Sequence, residues 1–254
     1  MFNKLECNEE GCAVSEFDYS RTYKSVVTDL IAAYPRAEAM SKAVGGNWES
    51  TGVLMRQLLL DVGLKPSHYL IDVGCGSGRL AHLLDVSRYL GTDVVPDLIN
   101  YTRDLCGRQG WRFEVVQSIA IPEESAVADM VCFFSVFTHL LHEDCYRYLL
   151  EAHRVLKPGG KVVFSFLEFR IRGHWAVFED MLRARIDQVS THHDQFISRD
   201  AIEAWAQHAG FLVELVHDAD IPHINAPYDL IDDQGNVISG MTSLGQSVSV
   251  LTKL

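Results

Sequence analysis

Clustered basic residues are what this 254-residue chain most plainly lacks. Lys and Arg number 22 against 34 Asp and Glu, giving a formal charge of −12 with the basic residues scattered along the chain. Neutralising phosphates takes Lys and Arg gathered in a patch, so no nucleic-acid partner is expected. Long apolar runs are also missing. The longest, near Met130 to Phe137, is far too short to span a bilayer, so no membrane partner is expected. Met1 to Glu10 is polar and acidic, which predicts no signal peptide and a cytoplasmic protein. A disulfide framework is absent as well. Cys75 falls in a glycine turn, Cys132 in a strand pattern and Cys145 in a helix pattern, so free thiols are expected. Cys7 and Cys12 sit in a polar tail without a nearby histidine, and His192-His193 has no third ligand, so no metal is expected. The aspartates of residues 218–244 lack EF-hand spacing, and that stretch reads as a surface insertion. There are no internal repeats or low-complexity tracts. What remains is an ordinary globular composition, long enough for one α/β domain and a cap.

The most informative stretch present is Tyr69-Leu70-Ile71-Asp72-Val73-Gly74-Cys75-Gly76-Ser77-Gly78-Arg79-Leu80. It reads as a buried strand, a glycine turn and then a helix from Gly78. Glycines at alternate positions let the backbone turn sharply and remove the Cβ atoms that hold a ligand off. The free N–H groups of a following helix would then face a carboxylate or phosphate. A second strand, Ser87 to Asp93, ends in an acid 19 residues beyond Gly74. A carboxylate at about that distance accepts hydrogen bonds from ribose hydroxyls, so the pair predicts an adenosine-type cofactor. NAD is disfavoured. Its fingerprint is G-x-G-x-x-G, whereas Gly78 comes one residue early. Asp72, just before the turn, would repel a pyrophosphate but tolerate an ammonium or sulfonium.

Helical character from Asp18 to Ala43 is broken by Pro35, after residues 1–17 that read as loosely ordered. Gly45-Gly46-Asn47 is a turn, with Trp48 placed there to cover the cofactor or to anchor packing. A helix from Ser50 or Thr51 stops at Gly63. Strands and helices then alternate, as a parallel sheet requires. Helices are expected at Pro96–Cys106, His142–Leu156, Trp175–Gln188 and Arg199–Ala209, the last with Ser198 as N-cap. Strands are expected at Phe113–Val116, Met130–Phe134, Lys161–Leu167, Phe211–Val216 and Ser247–Leu251. Glu143, Arg147, Glu151 and Arg154 share the polar face of their helix, read as solvated. Ligands of open α/β sheets lie beyond the carboxyl ends of the strands. That rule selects Asp72–Gly78, Asp93–Val95, Gln117–Ile119, Phe134–His139 and Leu167–His174.

Four stretches in order resemble the class I S-adenosylmethionine (SAM) methyltransferases. Asp72–Gly78 looks like their first motif and Asp93 like their ribose acid. Ala128-Asp129-Met130-Val131-Cys132-Phe133-Phe134-Ser135 looks like their fourth strand, and Arg154-Val155-Leu156-Lys157-Pro158-Gly159-Gly160-Lys161 like the turn before their fifth. The resemblance is good over about residues 65–170 and weak beyond. It implies an α/β, Rossmann-like three-layer sandwich with a seven-stranded, mostly parallel sheet whose last strand is antiparallel. Residues 1–64 would be a tail and helical cap, residues 65–254 the SAM-binding domain, and about 170–197 an inserted cap helix. By the same resemblance Gly74, Gly76 and Gly78 approach the methionine portion of SAM, and Asp93 holds the ribose. Gln117 stands where family members often carry an acid for the adenine. Asp72, Cys75, Val94, Ser118, Ile119, Phe134 and Ser135 complete the expected cofactor set, with S-adenosylhomocysteine as product.

Methyl transfer from a sulfonium is an in-line displacement for which the protein mainly positions donor and acceptor. A hydroxyl acceptor gains from a general base. His139 follows the fourth strand and is the candidate, while Glu168 and His174 follow the fifth and are candidates for the acceptor pocket. The reading is a SAM-dependent methyltransferase acting on a small molecule, with O-methylation favoured over N-methylation because of His139. A non-catalytic SAM-binding regulator or partner subunit is the alternative from another class, and an NAD-linked oxidoreductase a further one.

Overall fold

Strand β1 (Tyr69–Val73) is buried along its whole length, as an uninterrupted apolar run in a sheet covered on both faces must be. In the computed structural model, which describes residues 19–189 and 194–254, it lies at the centre of a seven-stranded sheet. Residues 1–17, with Cys7 and Cys12, and the pair His192-His193 lie outside the described residues. The other strands are β2 (Arg88–Asp93), β3 (Trp111–Val115), β4 (Ala128–Phe133), β5 (Leu156–Phe166), β6 (Phe211–His217) and β11 (Ser247–Lys253). Their order is β3-β2-β1-β4-β5-β11-β6, with β11 antiparallel to both neighbours and the pairs from β3 to β5 parallel. This is the expected Rossmann-like arrangement.

Alternation along the strands divides the core. Leu70, Met130 and Cys132 face α3 (Trp48–Asp61), which contributes Leu54, Leu58 and Leu59. Ile71, Val131 and Phe133 face the other side, where α5 (His142–Val155) contributes Cys145 and Leu149 and α7 (Arg199–Ala209) contributes Ile202 and Ala206. A third, smaller cluster joins α1 (Tyr19–Ala33) and α2 (Arg36–Ala43) to α4 (Pro96–Cys106) through Val27, Met40, Val95 and Leu98. Pro35 separates α1 from α2, since its ring and missing N–H end the first helix. Helix α6 (Arg172–Ile186) follows β5 and buries little besides His174.

Three expectations need correction. No α-helix follows Gly78; a single 3₁₀ turn, Ala81–Leu83, stands there. The space over β1 is already taken by α3, whose Gly52 would place a Cβ 2.1 Å from the Arg79 carbonyl oxygen. Helix α3 itself begins at Trp48, so Trp48 belongs to its first turn, donates to Ser77 Oγ at 2.9 Å and stacks on His82. Trp48 is therefore a packing anchor. Residues 218–244 are more than a surface insertion. They form two short ribbons, β7 (Ile224–Asn225) with β10 (Met241–Thr242) and β8 (Leu230–Ile231) with β9 (Val237–Ile238). Ile224, Ala226 and Leu230 enter the core cluster that contains α3. Among the described residues no helix is long and apolar enough to cross a membrane.

Gly52 offers a test with a diagnostic sign. A glycine inside a helix ordinarily gains about 1 kcal/mol on replacement by alanine. Here the added methyl group meets backbone rather than a flexible side chain. Gly52→Ala should lower the urea midpoint, at a net loss of roughly 1–3 kcal/mol from overpacking. A stabilised variant would contradict the close approach of α3 to Arg79.

Candidate functional site

The turn after β1 is shaped by the end of β2. The N–H groups of Gly74 and Cys75 both donate to the Thr92 carbonyl, at 2.7 and 2.9 Å. The Gly76 N–H donates to Asp93 Oδ2 at 3.0 Å, and the Val95 N–H to Asp93 Oδ1 at 2.9 Å. Gly76 sits at φ +54°, where a Cβ would lie 2.6 Å from Val44 Cγ1, so only glycine lets Val44 close over the turn. The expected crown of free helix N–H groups is therefore absent: the helix is missing and the turn's N–H groups are used on β2. Gly78 departs from expectation as well. It packs against Thr102 and Cys106 of α4 and does not face the cavity.

That cavity, about 1490 Å³, opens beyond the carboxyl ends of β1, β2, β4 and β5. Asp72, Gly74, Cys75, Gly76, Asp93, Val94, Gln117, Ser118, Ile119, Phe134 and Ser135 all line it, as does His139. Both acids are buried. Burial pushes the Asp72 carboxyl up to about 6, against the Tyr89 hydroxyl (2.7 Å), the Cys132 thiol and the charge of Arg79. Burial also pushes Asp93 up to about 6, opposed by the N–H groups of Val95 and Gly76. Cys75 and Cys132 are free and buried, and burial raises both thiols well above their usual range. Neither is a nucleophile at neutral pH.

At the end of β4 the backbone takes an unusual course. Ser135 has φ +57°, its N–H donates to Ser165 Oγ at 2.8 Å, and its hydroxyl donates to Gln246 Oε1 at 3.2 Å. This turn delivers His139, whose Nδ1 lies 3.4 Å from Asp194 Oδ1. A carboxylate beside one imidazole nitrogen restricts the orientation of the ring.

Glu168 and His174 do not reach the cavity. The His174 Nδ1 accepts from the Glu168 N–H and its Nε2 donates to the Gly245 carbonyl, each at 3.0 Å, so both ring nitrogens are occupied. The Glu168 carboxylate takes a bidentate fork from Arg199 (2.9 and 3.0 Å), a bond from Arg170 Nε (2.9 Å) and the Ser247 hydroxyl. Burial pushes this carboxyl up, but the bonds from Arg199, Ser247 and Arg170 outweigh it and hold it below the usual range. The pair braces the ends of β5 and β11.

Several lining residues have no counterpart among the sequence candidates. Glu143 and Arg147 lie on the exposed helix face, as expected, and also border the cavity. Tyr23, Lys42 and Val44 come from the N-terminal helices and their hinge, and Gln246 from the approach to β11. Arg79 was within reach of sequence reasoning, because it directly follows the glycine turn. Among the described residues no group of three His, Cys, Asp or Glu side chains is placed to hold a metal.

Residues 71–164 match the family described as "Methyltransferase domain". The chain is 28% identical over 145 residues to the malonyl-acyl-carrier-protein O-methyltransferase of Serratia marcescens, covering 55% of each. It is 33% identical over 102 residues to the enzyme of the same name from Hahella chejuensis, covering 39% of this chain and 36% of that one. The match thus spans about half the length of these relatives or less. Among solved structures, magnesium protoporphyrin IX methyltransferase from Synechocystis, with bound S-adenosylhomocysteine, superposes with a TM-score of 0.61 at 14% identity. That comparison covers 92% of this chain and 98% of the other, and it shows a shared fold.

The raised carboxyl of Asp72 gives a signed prediction. A carboxyl whose folded pKa lies above its unfolded value costs the native state stability once it ionises. The cost is absent below about pH 4 and fully present above about pH 6. Asp72→Asn should therefore be more stable than wild type at pH 8 by roughly 2–3 kcal/mol, with the difference vanishing near pH 4. Denaturant titrations of both proteins across this range check it, and a pH-independent difference would refute it.

Proposed function

We propose that this chain, which residues 71–164 identify as a class I SAM-dependent methyltransferase, moves the methyl group of SAM onto an oxygen atom of a small-molecule acceptor. The observation that carries the proposal is one cavity shared by the turn after β1 and His139, which has Asp194 beside it. Its volume of about 1490 Å³ exceeds the roughly 300–1,000 Å³ of a single-ligand pocket, which leaves space for an acceptor beside a cofactor. An occluded acceptor region, the mark of a non-catalytic SAM-binding subunit, is not what the cavity presents. NAD finds no support, because the N–H groups of Gly74 and Cys75 are spent on Thr92 rather than turned toward a pyrophosphate.

The residues present fit SAM. Each Asp93 oxygen takes one backbone N–H and keeps a lone pair for a ribose hydroxyl. Val94, Gln117, Ser118 and Ile119 border the adjoining space for the base, where a glutamine oxygen can accept from an amine. Asp72 gives the turn a negative charge suited to an ammonium. SAM supplies a methyl group on a sulfonium sulfur; the acceptor oxygen forms the new C–O bond as the C–S bond breaks and its electrons return to sulfur. His139, oriented by Asp194, takes the proton of a hydroxyl acceptor, and Ser135 and Gln246 offer polar atoms to hold that acceptor. Helices α1 to α3 act as a cap over the cavity. The relatives' names, which specify transfer to oxygen, support oxygen over nitrogen as the atom modified. The charge of −12 supports a small molecule over a nucleic acid, and the four described free thiols support a cytoplasmic setting.

Incubation with deuteriomethyl-SAM and a panel of hydroxyl and carboxylate compounds should yield an acceptor labelled on oxygen. Label on nitrogen alone, or none with any class of acceptor, would overturn this reading. With a hydroxyl acceptor, His139→Ala should lower kcat by about 10²–10⁴ while S-adenosylhomocysteine affinity stays unchanged. A carboxylate acceptor is already ionised, so the same variant should then keep most of its rate. Near-wild-type turnover of a hydroxyl acceptor by the variant would remove His139 from the mechanism.

A further inference from the structure

Arg154 and Arg199, both only partly buried, are saturated with acceptors. Arg154 spends Nε, Nη1 and Nη2 on the Glu151 carboxylate and the carbonyls of Glu123 and Ile121. Arg199 spends its fork on Glu168 and Asp218. Arg79 is different. It is largely buried and lines the cavity directly after the glycine turn, yet its one hydrogen bond runs from Nη1 to the Val44 carbonyl at 2.7 Å. Among the described residues no carboxylate comes within ion-pair distance of it. A guanidinium carries five donors, and a buried one left with a single acceptor is set for an incoming anion. Burial lowers its pKa to about 10, so it stays charged at neutral pH.

Asp72 stands across the same turn, and the charges of Arg79 and Asp72 each favour the other. One cation and one anion, near but not paired, make a receptacle for a zwitterion: a carboxylate for Arg79 and an ammonium for Asp72. The amino-acid tail of SAM has that pattern. The atom that already occupies Arg79 is equally informative. Val44 opens the hinge between α2 and α3, where Gly45, Gly46 and Asn47 have φ values of +88°, +73° and +50°. The far end of this hinge is fixed by a reciprocal clasp. The Asn47 N–H donates to Asp233 Oδ2 at 2.6 Å, and the Asp233 N–H donates to Asn47 Oδ1 at 2.8 Å. The near end is held by Arg79.

We propose that Arg79 takes the carboxylate of the cofactor's amino-acid tail with its remaining donors while Nη1 keeps the Val44 carbonyl, so that cofactor loading and seating of the α1–α2 cap are one event. This rests on the methyltransferase reading above.

The test compares two probes, S-adenosylhomocysteine and 5′-methylthioadenosine, which shares its nucleoside and thioether but lacks the amino-acid tail. Calorimetry on the full chain should show Arg79→Gln weakening S-adenosylhomocysteine by about 10–100-fold, the loss of a charge-assisted pair. The same variant should change 5′-methylthioadenosine by less than about threefold, which also confirms that it folds. Arg79→Lys, a point charge without the fork, should fall between. In hydrogen exchange on the wild type, S-adenosylhomocysteine should protect residues 22–47 more than 5′-methylthioadenosine does. Arg79→Gln should erase that difference. Equal losses for both probes, or no loss for either, would overturn the carboxylate assignment. Equal protection by both probes in the wild type would overturn the coupling to the cap. Wild-type protein that binds neither probe would overturn the methyltransferase reading, and the proposal with it.

Discussion

Two acceptors at the end of β2, the Thr92 carbonyl and the Asp93 carboxylate, take the N–H groups of Gly74, Cys75 and Gly76. Those three bonds set the course of the turn after β1, and most of the site is arranged from that turn. Thr102 Oγ1 of α4 donates to the Gly76 carbonyl at 2.8 Å, which brings α4 against the turn. Val44 closes over Gly76, which places the cap hinge. Arg79 leaves the turn toward Val44, and its carbonyl is what α3 packs upon at Gly52. A central parallel strand cannot exchange register freely when both faces are buried, so the bonds are held in turn by the pairing of Tyr69–Val73 with Arg88–Thr92.

The same geometry buries charge. Asp72 and Asp93 are both nearly inaccessible, and the charge of Asp72 raises the cost of ionising Asp93. Tyr89, itself fully buried, spends its hydroxyl on Asp72 rather than on solvent. A purely structural core would replace such a group with an apolar one, because isolated buried carboxylates are destabilising. Buried acids with raised pKa values lining a cavity are the pattern found at sites that hold unfavourable electrostatics in reserve for a ligand. Glu168 shows the contrast. It is as buried, but three donors besides Ser247 surround it, and its pKa falls rather than rises. Burial alone does not separate a ligand-facing acid from a bracing one; the partners do.

That distinction explains what was legible in the sequence. Elements whose cause is local were read closely: Pro96 to Cys106 and Arg199 to Ala209 coincide with α4 and α7, and β1 with its apolar run. The strand-end residues that line the cavity were legible too, because their positions are set by the sheet. Where contacts between remote segments decide, the reading failed. The helix expected after Gly78 is displaced by α3, a conflict of volume that no window of sequence displays. Glu168 and His174 follow β5 as acceptor-pocket residues should, but Arg199, Ser247 and Gly245 claim them from up to 79 residues away. Arg147 is exposed, as its helix face predicts, but helical periodicity says nothing of the cavity that this face also borders.

The two halves of the cavity are therefore built by different rules. The side formed by the turn after β1 uses the Thr92 carbonyl and the strand pairing, which substitution of side chains leaves in place, together with the single Asp93 carboxylate. The side beyond β4 depends on single side-chain links between segments far apart: Asp194 to His139, Gln246 to Ser135, Ser165 to the Ser135 N–H. Ser135 adopts the left-handed conformation at a cost of roughly 1–2 kcal/mol for a residue with a side chain. Its two hydrogen bonds offset that cost. Changing Gln246 or Ser165 would let this turn relax and move His139 with it, while Asp93 and the glycine turn stayed where they are. The β4 side of the cavity can thus be altered without moving the turn after β1, because the first rests on removable side-chain contacts and the second largely on the sheet.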